Sequence, residues 1–150
     1  MQAPPLTDRQ VDTLRAFAGA MIPASDRHGV PGADDPAIFA DVLASLERDT
    51  ADVVEALRRL DGLSGSSYAA LDAAGRLAVA NELRAEGGAP LAALTRVVLL
   101  CYYRDDRVMR ALGQEPQPPF PLGHVVEQGD WSLLDPVRRR APFWRRAPRG

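Results

Sequence analysis

The chain has 150 residues, which is long enough for one ordinary domain with its own core. Hydrophobic residues make up 46%, which excludes a chain that is disordered throughout, and a net charge of −2 argues against general affinity for nucleic acids. Residues 1–137 hold 12 Arg and all 20 acidic residues, whereas residues 138–150 hold six Arg and no acid. The sequence therefore predicts an acidic body with a basic tail.

The first predicted helix opens with a capping box. Thr7 stands at the N-cap and Gln10 three residues later, a spacing that lets the side chain of each bond the backbone amide of the other. Ile22 precedes Pro23 and ends the helix, because the residue before proline avoids the helical region. The apolar stripe falls at helical spacing on Val11, Leu14, Ala18 and Met21.

Residues 23–36 form a predicted loop rich in Pro, Gly and Asp, and a second helix follows it. Asp35 is its expected cap and Pro36 its first residue, with Ile38, Phe39, Val42, Leu43 and Leu46 on one face. Thr50 is expected to cap a third helix that runs to about Leu60. Residues 62–67 then form a flexible connector.

A fourth helix is predicted from the cap Asp72 to about residue 85, with an inward stripe at Leu77, at Ala80 or Asn81, and at Leu83–Arg84. Gly87 and Gly88 stop it. The fifth helix, residues 90–103, is apolar around most of its circumference, which is typical of a helix at the centre of a bundle. A short sixth helix is expected over residues 106–112.

The composition changes after residue 113. Residues 114–150 contain seven Pro and both Trp, so we expect an extended arm with one short turn within 132–137 and a weak strand candidate at 123–126. The predicted architecture is an all-α bundle of about five helices over 1–113. The predicted arm, 114–150, packs on the bundle and on a partner.

Residue types that perform catalysis or bind metals are scarce. The chain has two histidines, His28 and His124, and one thiol, Cys101, at spacings unlike those of metal sites. His28 is expected to be a solvated loop residue, His124 structural and Cys101 a buried, inert thiol. The serines around Ser64 have no histidine nearby in sequence. We therefore predict no catalytic, cofactor-binding or metal-binding residue in this chain.

Aromatic residues and arginines, the types enriched at interface hot spots, cluster in the C-terminal third. We predict that a partner protein contacts this region, and either of the adjacent tyrosines could instead belong to the core. The predicted interface residues are Tyr102, Tyr103, Trp131, Phe143, Trp144 and Arg145.

Several segments resemble the gluconate 2-dehydrogenase small-subunit (subunit 3) family over roughly residues 6–145. They are Leu6–Gln10, Thr13–Ala16, Met21–Pro23, Tyr102–Asp105, Leu112–Gly113, Pro119–Gly123, Gly129–Asp135 and Val137–Arg138. The resemblance implies a helical, non-catalytic subunit bound to a large flavoprotein of the glucose-methanol-choline oxidoreductase type. FAD and the catalytic residues would belong to that partner, whose folding, assembly or export the small subunit supports.

Two other functions stay open on the residues alone. One is an adaptor that binds nucleic acid or another protein through the Arg-rich tail, and the other is a small hydrolase that uses His124. The N-terminus has no signal-peptide pattern, and no apolar run approaches the ~20 residues of a membrane span. We therefore expect a cytoplasmic chain without a membrane span; export with a partner, or a removed signal, would place it in the periplasm.

Overall fold

The computed structural model of the chain describes residues 6–118, 120, 123 and 127–141. The chain divides into two compact units, residues 1–116 and residues 117–150. In the described ranges every regular element is helical, and the sole β-type pairing is an isolated bridge between Ser25 and Val30. The all-α prediction is therefore confirmed.

Helix α1 (Asp8–Met21) starts at the predicted capping box. The hydroxyl of Thr7 accepts from the amide of Gln10 at 3.4 Å, and the side-chain oxygen of Gln10 accepts from the amide of Thr7 at 2.9 Å. The helix ends at Met21, just before Ile22 and Pro23, as predicted from the position of the proline. Its buried side chains are Thr13, Leu14, Phe17 and Ala18.

Helix α2 (Pro36–Ala44) also starts where the sequence placed it, because the carboxylate of Asp35 accepts from the amides of Ala37 and Ile38. Leu46, predicted on its inner face, lies beyond its C-terminus but is still buried.

Helix α3 (Thr50–Leu63) differs from the prediction at both ends. Thr50 is not its cap but its first residue, because a 3-10 turn, Glu47–Asp49, leads directly into the helix. The hydroxyl of Thr50 donates to the carbonyl of Glu47 at 2.7 Å, and no side-chain hydrogen bond caps the first turn of α3. At the other end the helix continues three residues past Leu60.

Helices α4 (Ala73–Glu86), α5 (Ala89–Tyr103) and α6 (Asp106–Ala111) complete the first unit. Asp72 caps α4 as predicted, accepting from the amide of Gly75 at 2.8 Å. Gly87 and Gly88 turn the chain between α4 and α5 with φ of 67° and 97°, a left-handed conformation that favours glycine. The predicted inward stripe of α4 is wrong at Leu77, which is 57% exposed, whereas Leu83 is fully buried.

The core of the first unit centres on the packing of α3 against α5, with α1, α2 and α4 around them. The ring of Tyr68, in a 3-10 turn before α4, is fully buried and lies 6.5 Å from that of Phe17. Helix α5 buries one side through Ala93, Leu94, Val97, Val98, Cys101 and Tyr102. Helix α5 is therefore not buried on all sides, as the central position predicted for it would require. Leu99 and Leu100 face outward, with 37% and 60% of their surface exposed.

The second unit contains a 3-10 turn, Trp131–Leu134, that runs into a short helix, α7 (Asp135–Arg138). Asp130 starts it by accepting from the amide of Ser132 at 3.0 Å and from its hydroxyl at 2.6 Å. The predicted turn within 132–137 is confirmed and extends one residue further each way. The predicted strand at 123–126 falls largely outside the described residues.

Candidate partner-binding surfaces

The two adjacent tyrosines of α5 have opposite environments. Tyr102 is 4% exposed, and Tyr103 is 53% exposed. Successive residues of a helix point about 100° apart, so one neighbour can enter the core while the other leaves it. Their rings meet edge to face, with centroids 5.3 Å apart at 83°. Tyr102 is therefore a core residue that a partner cannot reach, whereas Tyr103 is accessible.

Tyr103 belongs to an exposed strip that we call the outer face of α5. It surrounds an open hollow of about 600 Å³. The residues of this face are Ala92, Thr95, Arg96, Leu99, Leu100, Tyr103 and Arg104. Apart from its two arginines the face is apolar in character, since the hydroxyl of Thr95 donates back to the carbonyls of Leu91 and Ala92 at 2.9 and 3.2 Å.

Each arginine of this face is held by an acid on a neighbouring element. Arg96 donates to the carboxylate of Asp49 at 2.5 Å. Arg104 donates to both oxygens of Asp41, each at 2.5 Å, and to the hydroxyl of Ser45. The hydrogen bonds from Arg104 lower the pKa of Asp41 below its usual value, so this pair is ionised at neutral pH.

Cys101 lies beneath the outer face of α5, next to Asp41 and Ser45. It is 1% exposed, and burial raises the pKa of its thiol. A neutral, inaccessible thiol is a poor nucleophile. The prediction of a buried cysteine is confirmed.

The second unit carries a different surface, which we call the 131–140 segment. Trp131, Leu133, Leu134 and Val137 are 61%, 74%, 40% and 55% exposed. The indole nitrogen of Trp131 donates to the side chain of Gln128 at 3.3 Å, which fixes the ring near the start of the turn. A single exposed leucine is common on protein surfaces, whereas four large apolar side chains exposed within seven residues form a patch of the kind found at interaction sites.

Arginines follow these apolar residues directly. Arg138 pairs with Asp135 at 3.4 Å, and Arg139 donates to the backbone carbonyl of the same residue at 3.2 Å. Arg140 follows them and is exposed. The segment thus combines an apolar cluster with a basic end.

A groove of about 690 Å³, lined by both charged and apolar residues, lies between α1 and α4. Its charged residues are Asp12, Arg15, Asp34 and Arg76, so the charges balance. Arg15 lies over the ring of Phe39 at 4.1 Å and donates to the carbonyl of Asp34. Arg76 donates to the carbonyl of Ala69 at 2.6 Å, while its buried Nε finds no partner in the described ranges.

Residues suited to catalysis are not assembled in the described parts of the chain. His28 is exposed in the tight turn between Ser25 and Val30, and Ser64 donates its hydroxyl to the carbonyl of Asp61 at 2.8 Å. His124 lies outside the described residues. Within the ranges described, no group of three or more His, Cys, Asp or Glu residues is arranged to hold a metal ion.

Of the six predicted interface residues, the structure places Tyr102 in the core, Tyr103 on the outer face of α5 and Trp131 in the 131–140 segment. The others, Phe143, Trp144 and Arg145, lie outside the described residues. The exposed Leu99 and Leu100 were missed, since an all-round apolar pattern was interpreted as a central helix. The available signal was the pair of charges Arg96 and Arg104, which flank them at helical spacing.

None of the described helices is long and apolar enough to cross a membrane. No protein-family model matches the chain, and neither a curated protein nor a solved structure matches it in comparison.

Proposed function

We propose that this chain is a non-catalytic small subunit of an FAD-dependent oxidoreductase of the glucose-methanol-choline type. In this proposal the large subunit holds FAD and performs the chemistry. The small subunit supports the folding, stability or assembly of that partner. The resemblance to the gluconate 2-dehydrogenase subunit 3 family supplies the identity of the partner.

The observation that carries the proposal is the exposed apolar cluster of the 131–140 segment. Trp131 and Leu133 leave most of their surface open to solvent, which is unfavourable unless another surface covers them. The segment coincides with Gly129–Asp135, one of the stretches that resemble the family. An interface centred on a Trp and its apolar neighbours, with arginines at its rim, has the composition of a binding hot spot.

The cluster also suits a docking role because it is preformed. Asp130 caps the turn through Ser132, and the hydrogen bonds from Ser132 lower the pKa of Asp130, so the cap is ionised at neutral pH. Pro136 fixes the start of α7. A segment already in its bound shape loses less conformational entropy on association.

The test is a pull-down from the native host with the tagged full-length chain, in which the FAD recovered with it is measured. Trp131→Ala with Leu133→Ala should lower the recovered FAD at least about tenfold, the loss expected for a hot spot. Leu77→Ala, an exposed leucine on α4, is the matched control and should leave recovery unchanged. Equal recovery with both variants would exclude the 131–140 segment as the contact.

A further inference from the structure

We propose that the partner's docking site for the 131–140 segment is an apolar pocket with carboxylates along one side. The pocket would cover the apolar cluster, and the carboxylates would bind the arginines that follow it. This inference rests on the proposed function, since the partner is the large subunit proposed above. It adds the chemistry of that subunit's docking site, which the resemblance does not supply.

The two compact units of the chain carry opposite net charges. Residues 1–116 contain 12 Arg and 17 acidic residues, whereas residues 117–150 contain six Arg and three acidic residues. All six of those arginines fall within residues 138–150, which contain no acid. The positive charge of the second unit is therefore concentrated directly after its exposed apolar cluster.

The arginines at the end of the 131–140 segment are not neutralised by their neighbours in sequence. Arg138 pairs with Asp135 at 3.4 Å, but the two side chains are 61% and 54% exposed, so water screens the pair. Arg139 donates to a backbone carbonyl, which has no net charge to offset its own. Asp135 is the last acidic residue of the sequence, so a single carboxylate precedes three consecutive arginines.

The charges of the segment are arranged in one direction along the chain. At its start, the carboxylate of Asp130 is engaged as a cap, since it accepts from the amide and the hydroxyl of Ser132. The apolar cluster follows, and the run Arg138–Arg140 comes last. A complementary partner therefore needs its carboxylates on one side of the pocket only, where this run lies.

The apolar and basic parts of the segment are close enough for one partner surface to contact both. Val137 and Arg138 are consecutive, and Leu134, at the start of α7, lies four residues before Arg138. Residues four apart lie on the same side of a helix. A partner that covers Leu134 therefore places its own surface beside the guanidinium of Arg138. An apolar centre with a charged rim is the usual composition of a protein interface.

A carboxylate-bearing protein surface fits this combination better than a nucleic acid. The guanidinium group presents its N–H donors in a planar fork that matches the two oxygens of a carboxylate. Phosphates also bind arginine, but a phosphate backbone offers no apolar surface to cover Leu133, Leu134 and Val137. A folded protein can offer a pocket and carboxylates together.

An acidic docking site would also orient the chain as it approaches. Such a site attracts the basic end of the segment and repels the acidic residues that predominate in residues 1–116. Charges at an interface rim act mainly on the rate of association and on its dependence on salt. We therefore expect the complex to form less readily as the salt concentration rises.

The first test uses the fact that the chain contains no lysine. Arg139→Lys with Arg140→Lys keeps both charges and introduces the only side-chain amines of the chain. A carbodiimide joins an amine to a carboxylate that it contacts. Applied to the complex of the full-length chain, carrying a lysine-free tag, with its flavin-containing partner, the reagent should link this variant to Asp or Glu residues of the large subunit. Mass spectrometry locates the links.

The matched control for the coupling is Arg48→Lys with Arg110→Lys. Both arginines lie in the first unit, and their side chains are 86% and 61% exposed. The reagent can therefore reach the introduced amines, but we expect no link from them to the large subunit.

The strength of binding is the second measurement. Arg138→Gln, Arg139→Gln and Arg140→Gln combined should lower the recovered FAD at least about fivefold at about 0.1 M salt. With the unmodified chain, about 1 M salt shortens the screening length from about 10 Å to about 3 Å and should lower recovery by a similar factor. Recovery with the glutamine variant should change little with salt.

The outcomes separate this inference from the proposed function. If the unmodified chain recovers no FAD, the proposed function is wrong and this inference is wrong with it. If FAD is recovered but the amines at 139 and 140 couple to no carboxylate of the large subunit, only the acidic docking site is wrong. The same holds if the glutamine variant recovers as much FAD as the unmodified chain. Loss of FAD recovery after nuclease treatment would assign the arginines to a nucleic acid and would also overturn the inference.

Discussion

Arg107 donates two hydrogen bonds to the carboxylate of Asp35, at 2.7 and 3.1 Å, across 72 residues of chain. The same guanidinium also binds Asp105 at 3.0 Å. Asp35 caps α2 and Asp105 caps α6, so one arginine joins the starts of two helices. Its hydrogen bonds lower the pKa of both carboxyl groups below the ordinary value of 3.8.

We expect Arg107→Ala to lower the free energy of unfolding by about 1 kcal/mol at neutral pH, since the ion pairs are only partly shielded from water. A carboxyl group with a lowered folded pKa adds stability above its unfolded pKa and loses it as the pH falls through the folded value. The difference between variant and unmodified chain should therefore shrink as the pH drops below 3.8. Urea denaturation over this range measures it.

The control for that experiment is Arg110→Ala. Arg110 pairs with Asp106 at 3.0 Å, but both side chains are 61% exposed. Such a pair contributes less than about 0.5 kcal/mol. If Arg110→Ala lowers the free energy of unfolding as much as Arg107→Ala does, the link from Arg107 to α2 stabilises the fold no more than an exposed ion pair.

Asp61 joins three elements, and its removal should be more costly. Its carboxylate accepts from Arg9 at 2.8 Å, from the hydroxyl of Thr13 at 3.1 Å and from the amide of Tyr68 at 3.0 Å. Thr13 is fully buried, so Asp61→Ala would leave a buried hydroxyl without its acceptor. We expect a loss of about 2–3 kcal/mol in urea denaturation.

Asp61→Asn provides the comparison. Both Thr13 and Tyr68 bind the same carboxylate oxygen, which an amide oxygen can replace, while the bond from Arg9 to the other oxygen would be lost. The loss should be about 1 kcal/mol. Equal losses for Ala and Asn would show that the contact with Arg9, not the buried pair, provides the stability.

Tyr68 should make the protein sensitive to alkaline pH. Burial raises the pKa of its hydroxyl to about 12 from 10.0. An acid with a raised folded pKa contributes stability that is complete below the unfolded pKa and is lost as the pH rises through the folded one. The free energy of unfolding should therefore fall between pH 10 and pH 12.

Tyr68→Phe removes this ionisation together with the hydrogen bond to the carbonyl of Arg76 at 3.1 Å. At neutral pH it should cost about 1 kcal/mol. Between pH 10 and pH 12 the variant should lose less stability than the unmodified chain. An identical alkaline decline in both would assign the effect to other groups.

The two sides of α5 should respond differently to truncation. Leu94 is fully buried, whereas Leu100, six residues later, is 60% exposed. We expect Leu94→Ala to cost about 3 kcal/mol and Leu100→Ala less than about 0.5 kcal/mol in thermal or urea denaturation. A large loss at Leu100 would mean that it is covered within the folded chain and is not available to a partner.

The helix starts were predictable because they depend on local chemistry. Thr7, Asp35 and Asp72 each cap a helix with their own side chain, and the amides they bind lie within three residues. The start of α3 was mispredicted, since the choice between a cap and a 3-10 turn at Thr50 depends on how residues 45–49 pass between α2 and α3.

Burial was less predictable because it depends on which neighbours a helix meets. Leu77 and Leu83 are both leucines of α4, which packs against α1 and α3, yet Leu77 is 57% exposed and Leu83 is fully buried. The same holds for Tyr102 and Tyr103, whose sequence context is nearly identical. Residue types thus predicted an interface, and tertiary packing determines which of the predicted residues are exposed.

The most direct test of the account is size-exclusion chromatography of the tagged chain purified from its native host, monitored by flavin absorbance. We expect the chain to elute with a large FAD-containing subunit, and oxidoreductase activity to appear only in fractions that contain this subunit. A chain that elutes alone and without flavin, or that converts a substrate unaided, would contradict it.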